Sequence, residues 1–312
     1  MLGRALILKT SALPPVERMV RRSWLFRPLV RRFIAGDTLE EALGNCRPLL
    51  EQGLKVSLDY LGENTKSEAE ALQAKATYIR MLEEIRKVAP KTQEDDLEPL
   101  NISIKLTQCG LDQGDEFAER NYRDVLEAAQ RLDNFVRVDM EASEYTERTI
   151  QMMERVAPAH RNTGTVLQSY LYRTDDDLER ILKLGLRVRL VKGAYLEAAS
   201  IAYPEKEKVD AAYLRQAEAL LERGTYPAIA THDEKIIQHV CRFAKDRGIA
   251  PSRFEFQMLY GIRRDLQQKL HEQGYNVRVY VPYGDSWYPY FTRRLAERPA
   301  NGLFILKSLF RG

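Results

Sequence analysis

The chain has 312 residues, 44% of them hydrophobic and 30% charged, with a formal net charge of +3. That is the composition of a globular protein with enough apolar residues for one large domain or two ordinary ones, and so even a charge sets no demand for nucleic acid. No uncharged apolar run approaches the roughly 18 residues of a membrane span, and Leu6-Ile7-Leu8 is too short for a secretory signal.

Cys46, Cys109 and Cys241 are scattered without paired spacing, which predicts a reducing, cytoplasmic setting. Residues 1–35 carry Arg4, Lys9, Arg18, Arg21, Arg22, Arg27, Arg31 and Arg32 against one acid, Glu17. Interleaved with Met19, Val20, Trp24, Leu25, Phe26, Leu29, Val30 and Phe33, they make a basic amphipathic arm. It can touch an anionic membrane, as a peripheral contact on the cytoplasmic face of the inner membrane, or pack on the main domain with its arginines in water. Both readings stay open.

Helices are expected over about 15–33 and 38–52, so that 1–53 forms a helical arm and 54–312 the main domain. A rhythm then begins. Strands are expected at 55–62, 101–108, 135–141, 165–172, 187–194, 226–232 and 254–261. Helices follow them at about 67–88, 115–131, 146–157, 175–184, 209–223, 234–247 and 262–273. The stretch from Asn276 to Glu297 supplies the last pair. Eight strand-then-helix units over about 250 residues predict an α/β fold, a (β/α)8 TIM-type barrel with extra helices at its amino terminus. An open doubly wound sheet shares the alternation, but no GxGxxG follows any strand.

Strand parity separates two kinds of row. Val56 and Leu58 oppose Lys55, Ser57 and Asp59; Ile102, Ile104 and Leu106 oppose Asn101, Ser103 and Lys105. Val136, Val138 and Met140 oppose Arg137, Asp139 and Glu141; Val188 and Leu190 oppose Arg187 and Arg189. Phe254, Phe256 and Met258 oppose Glu255, Gln257 and Leu259, and three valines of the last strand oppose Arg278 and Tyr280. Outer helices need an apolar surface, so the polar rows are expected to point inward, where charges must pair with each other or with a ligand. A lower layer of Lys55, Arg137, Arg187, Glu255 and Arg278 reads as a lattice of ion pairs. An upper layer of Lys105, Asp139, Gln168, Arg189, Gln257 and Tyr280 lies near the carboxyl ends of the strands, where this fold carries its active sites.

In the final stretch, Val277, Val279 and Val281 alternate as a strand and Pro282-Tyr283-Gly284-Asp285 turns the chain. Asp285 or Ser286 can cap the helix that follows. Tyr290, Arg293, Arg294 and Glu297 share one face of it, while Trp287, Phe291 and Leu295 form an adjacent packing seam. Two arginines and a tyrosine on one face suit an anion.

Several chemistries can be weighed on these residues. His160, His232, His239 and His271 form no HxH or HExxH pair, so a metal site has little support. No GxSxG elbow serves a Ser-His-Asp triad. A cofactor-free Schiff-base lyase or aldolase is possible through Lys105 or Lys192, although parity sends Lys192 outward unless the chain turns at Gly193. A polar pocket of paired arginines, a lysine and an aspartate, rimmed by Tyr195, Tyr280 and Tyr290, suits a small zwitterion with a carboxylate.

The segments VDME (138–141), RVRLVKGAY (187–195), THD (231–233), FEFQMLYG (254–261) and VYVPYGDSWYPYFTRRLAER (279–298) resemble the proline dehydrogenases, FAD-dependent enzymes of proline catabolism. The likeness runs from about Leu54 to Pro299, and KGAY together with RRLAE makes it specific. It is similar to the short bacterial, monofunctional form, since the chain ends at Gly312 with no room for a fused aldehyde dehydrogenase and no DNA-binding module precedes the barrel.

The resemblance implies a last helix over the carboxyl-terminal mouth of the barrel. It implies oxidation of L-proline to Δ1-pyrroline-5-carboxylate, with hydride passing from proline C5 to flavin N5 and electrons then going to a membrane quinone. By the same resemblance Lys105, Arg293 and Arg294 would hold the carboxylate, and Leu259, Tyr195, Tyr280 and Tyr290 would enclose the ring, with Ala194 beneath. Asp139 would be the active-site aspartate, a base or an orienting group, and Arg189 the donor near N5. Met140, Gln168, Arg189, Lys192, Gly193, Ala194, Thr231, His232 and Glu297 match positions that contact FAD. A side chain at Gly193 would push the cofactor away, and the connection Glu197 to Lys208 could cover its adenylate half. Leu196 departs from an aromatic common in relatives, and residues 1–50 align poorly.

Overall fold

The computed structural model describes residues 14–22, 26–89 and 97–297. Three helices come first: α1 (Pro14–Arg22), α2 (Arg27–Phe33) and α3 (Leu39–Glu51). The barrel follows as β1 (Lys55–Tyr60), α4 (Glu68–Val88), β2 (Leu100–Ile104), α5 (Asp115–Arg131), β3 (Val136–Val138), α6 (Ser143–Val156), β4 (Thr163–Gln168) and α7 (Thr174–Leu184). Its second half is β5 (Arg187–Val191), α8 (Lys206–Arg223), β6 (Ala228–Ala230), α9 (Glu234–Asp246), β7 (Glu255–Leu259), α10 (Arg264–Glu272), β8 (Asn276–Tyr283) and α11 (Tyr288–Glu297).

All eight strands run parallel in sequence order, and β1 closes on β8 in the register Lys55 to Arg278 through Tyr60 to Tyr283. The apolar rows face outward. Val56, Leu58, Ile102, Ile104, Val136, Val138, Val188, Leu190, Phe256, Val277 and Val279 belong to one buried cluster with the helices around them. Polar residues Ser57, Asp59, Ser103, Arg137, Arg189, Glu255, Gln257 and Arg278 are buried inside the ring.

Local signals set many helix starts. Thr38 and Ser67 accept hydrogen bonds from the backbone N–H of Glu41 and Glu70, and Asp233 accepts from Lys235, so each relieves an unpaired donor in a first turn.

Most strands are shorter than expected, and four differences bear on the site. The single helix over 15–33 is two, because Pro28 opens α2 and cannot continue α1; residues 23–25 lie outside the described set. Strand four spans 163–168 rather than 165–172: Gly164 belongs to it, and a Cβ there would lie 2.3 Å from the Arg187 carbonyl oxygen and 2.9 Å from the Arg137 guanidinium. β3 is three residues long, with Asp139, Met140 and Glu141 already beyond its end. α11 begins at Tyr288, later than a cap at Asp285 or Ser286 would place it.

The arm is packed. Phe33 forms a buried cluster with Ile262 and Phe291, joined by Val20, Leu29, Val30, Leu259 and Trp287. The Arg21 guanidinium lies 5.1 Å over the Trp287 ring and donates to the Asp285 carbonyl at 2.8 Å. α3 is continuous with the barrel core through Leu39, Ala42 and Cys46. Among the described residues no helix is long and apolar enough to cross a membrane.

Candidate active site

The inward rows meet as two tiers of paired charge. In the lower one Arg278 donates to both Glu255 oxygens at 3.0 and 3.1 Å and to the carbonyls of Val56 and Glu98. Arg187 grips the Glu98 carboxylate at 2.9 and 3.1 Å, and Arg137 donates to the carbonyls of Thr165 and Arg187. Burial would raise the Glu98 carboxyl, but the guanidinium groups of Arg187 and Arg278 outweigh it and hold it at about 2.

The upper tier gathers at the carboxyl ends of the strands. Arg189 donates to Asp139 Oδ1 at 2.6 Å, to Ser103 Oγ at 3.0 Å and to Gln257, and its guanidinium lies 5.1 Å over the Tyr280 ring. The Tyr280 hydroxyl donates to Asp139 Oδ2 at 2.6 Å. Lys105 donates to Asp59 Oδ1 at 2.8 Å and stands 4.0 Å from Asp139.

Burial opposes charge on Lys105, yet the carboxylates of Asp59 and Asp139 dominate and hold it an ammonium, well above the ordinary lysine value. Burial, reinforced by Asp139, pushes Asp59 upward even with Lys105 beside it. Burial and the charge of Asp139 likewise keep the Tyr280 phenol protonated.

α11 closes this end of the barrel. Tyr290 is buried against Leu61 and Ile34 with Tyr280 alongside, and Phe291 is enclosed by the arm. Arg293 donates to Glu63 Oε1 at 2.7 Å and lies 5.5 Å over the Tyr195 ring, whose hydroxyl is 3.5 Å from the same carboxylate. Arg294 lies 5.2 Å over Tyr290. Arg294 and His232 also border a cavity of about 630 Å³ that Arg31, Arg32, Arg263 and Arg264 line.

The described residues expected around a cofactor lie at or beyond the carboxyl ends of strands three to six. Gln168, at the end of β4, donates to the Glu141 carbonyl at 3.3 Å, while its buried Oε1 has no hydrogen-bond partner among the described residues. Met140 is buried beside Asp139. Gly193 has φ +113°, and a Cβ there would lie 2.3 Å from the Tyr170 ring; here that ring is what demands glycine. Ala194 follows, half-buried.

Lys192 points away from the interior, as parity requires, and its ammonium contacts Asp210 at 2.5 Å and Asp233 at 3.2 Å. Thr231 Oγ1 accepts from the Asp233 N–H. His232 Nε2 accepts from the Leu259 N–H at 3.0 Å, so its ring is the neutral tautomer with hydrogen on Nδ1. Glu297 ends α11, and its side chain lies outside the described set. In the connection from Glu197 to Lys208, Glu197 caps α6 by accepting from the N–H and hydroxyl of Ser143.

Asp59, Glu63, Glu98 and Glu141 complete the two tiers without having been singled out from sequence. Asp59 shares the parity of Ser57 at the mouth end of β1, a usable signal. Glu63 lies in a loop and carries no periodic mark, and Glu98 precedes its strand.

The Proline dehydrogenase family profile matches residues 42–306. The chain is 41% identical over 281 residues to proline dehydrogenase 1 of Bacillus subtilis strain 168, covering 90% of each sequence. It is 38% identical over 317 residues to proline dehydrogenase of Deinococcus radiodurans, covering 100% of this chain and 99% of the relative. In structure it is similar to proline utilization A of Bdellovibrio bacteriovorus inactivated by N-propargylglycine, with a TM-score of 0.82 and 25% identity over 94% of this chain. It spans 36% of that longer chain. By matched length, shared identity and barrel architecture, the chain belongs to the proline dehydrogenase family.

Proposed function

We propose that the protein oxidises L-proline to Δ1-pyrroline-5-carboxylate, with FAD as cofactor and a membrane quinone as electron acceptor. The observation that carries this reading is a pair of cations at the barrel mouth, Lys105 and Arg293, each held by carboxylates beside three tyrosines. Arg293, Arg294 and Lys105 take the substrate carboxylate, for which fixed guanidinium and ammonium donors are suited. Leu259, Tyr195, Tyr280 and Tyr290 enclose the pyrrolidine ring, with Ala194 beneath it. Asp139 accepts from Arg189 and from the Tyr280 hydroxyl, one bond on each oxygen, so it orients both groups at the mouth.

We assign FAD to Met140, Gln168, Arg189, Lys192, Gly193, Ala194, Thr231 and His232, and with them Glu297, whose side chain lies outside the described set. The buried acceptor Gln168 Oε1 awaits a donor, and the arginines around His232 suit phosphate. Bound there, FAD supplies at flavin N5 the acceptor for the hydride leaving proline C5. Arg189 contributes a fixed donor where negative charge develops. The chemistry resides in 54–312, and of the arm 1–53 the described helices α1 and α2 back α11.

A Schiff-base lyase through Lys105 is not favoured: its nucleophile must be a neutral amine, and Asp59 and Asp139 hold Lys105 as an ammonium. Lys192 is tied to two carboxylates. An absorption spectrum of the purified protein is the test. A flavin band bleached by proline without oxygen is expected; colourless protein that binds no FAD overturns the reading.

A further inference from the structure

Glu141 is a carboxylate that the chemistry above does not use, in a place that costs stability. It is 3% exposed, and burial pushes its carboxyl up to about 7 although Thr107 donates to it twice. Those two bonds are its side chain's contacts with β2's far end. The Thr107 N–H reaches Oε1 at 3.2 Å, and the Thr107 hydroxyl reaches Oε2 at 2.6 Å.

A hydroxyl has one hydrogen. Since that of Thr107 goes to Glu141, its oxygen is oriented to accept, and it accepts the Asn64 N–H at 3.1 Å. The same residue holds the loop at a second point, where the Thr65 hydroxyl donates to the Thr107 carbonyl at 2.7 Å. At Gly62 the loop runs so close that a Cβ would lie 2.6 Å from Gln108 Nε2. Asn64 takes a left-handed φ of +55°, and its amide donates to Tyr145 Oη at 2.8 Å and Asp112 at 3.1 Å. Between Gly62 and Asn64 sits Glu63, the carboxylate that holds Arg293.

We infer that Thr107 and Glu141 are positioning residues for the substrate carboxylate: through the Thr107 hydroxyl they fix the backbone at Asn64, and so the Glu63 carboxylate that aims Arg293. Neither touches the reacting atoms. Their contribution is preorganisation of a loop that would otherwise cost binding energy to order. The inference rests on the reading that Arg293 binds proline, but the anchoring itself does not.

The test is Thr107→Val, which keeps the shape and removes the hydroxyl, beside Thr107→Ser, which restores it. Amide hydrogen exchange over 61–66, read by mass spectrometry, should rise about tenfold in T107V and stay near wild type in T107S. That measurement needs no substrate, so it stands or falls apart from the proline reading, which wild-type proline-dependent flavin bleaching tests by itself. With proline, T107V should raise KM about tenfold while kcat changes less than about twofold, and T107S should rescue it. In a Glu63→Ala background T107V should add almost nothing, since both act through one carboxylate. Glu141→Gln, which cannot accept both Thr107 bonds, should reproduce T107V. Unchanged exchange in T107V, or effects of T107V and E63A on KM that simply add, would overturn the inference.

Discussion

Below the mid-plane of the barrel, Glu98 and Glu255 face the guanidinium groups of Arg187 and Arg278, and both carboxyls are held below their ordinary values although burial opposes it. Above it, Asp59 and Asp139 share Lys105, Glu141 is met by two hydrogen bonds from Thr107, and burial lifts Asp59 and Glu141. Both tiers bury acids beside cations. At the lower carboxylates Glu98 and Glu255 pairing beats desolvation, while at Asp59 and Glu141 in the upper tier desolvation beats pairing. The cations do not follow this division: burial and neighbouring arginines push Arg137 down to about 9 in the lower tier, and Lys105 stays an ammonium in the upper one. Acids kept buried against their own desolvation cost point to a demand other than stability, and these two lie under α11.

Substitutions should therefore act on folding below and on binding above. Arg278→Met leaves Glu255 and the Glu98 carbonyl buried without their cation and should cost about 3–5 kcal/mol of stability, read as a fall in urea midpoint. A loss under 1 kcal/mol would erase the distinction between tiers.

The two tiers should also answer pH with opposite signs. Glu98 has its folded value lowered to about 2 from 4.5, so its contribution is complete above about pH 4.5 and is lost as pH falls toward 2. Glu141 has its folded value raised to about 7, so the folded state favours the proton. Its cost is absent below about pH 4.5 and accrues as pH rises to 7. Each amounts to about 3 kcal/mol at the far end of its window. Unfolding followed against pH should show that Glu98→Gln flattens the acid limb and Glu141→Gln the limb between 4.5 and 7. Identical profiles for the two variants would contradict the assignment.

Arg293→Met should weaken proline binding by about 1.5–3 kcal/mol, seen in KM, with stability changed far less. Unchanged affinity there would remove α11's arginine from the carboxylate site. The smallest effect belongs to Tyr195→Phe. Its hydroxyl sits 3.5 Å from Glu63 while its ring still packs under Arg293, so proline KM should stay within about twofold.

Much of this was legible along the chain. Alternation of apolar with polar or charged residues in six of the eight strands announced a polar interior, and the eightfold strand-then-helix rhythm announced the barrel, because a two-residue period assigns every side chain to a face. The same parity placed Lys105, Asp139, Arg189 and Tyr280 together and sent Lys192 outward, where it meets Asp210 and Asp233. The three-and-four spacing of Tyr290, Arg293 and Arg294 marked one helical face. These are short-range regularities, and the backbone geometry enforces them wherever the segment folds.

Pairings between segments distant in sequence follow from the folded ring alone. Glu63 has no periodic neighbour, and its role appears when a loop after β1 comes under Arg293, 230 residues later. Glu141 reads as one more inward acid along the chain; the fold adds that Thr107 leans on it and Asn64 on Thr107. Gly193 needs glycine here because Tyr170 lies against it. Composition leaves the basic arm a choice of surfaces; among its described residues Phe33 and Val30 pack beside Phe291 and Trp287, a contact no local pattern marks. Period assigns faces, but which charge meets which depends on closing the ring.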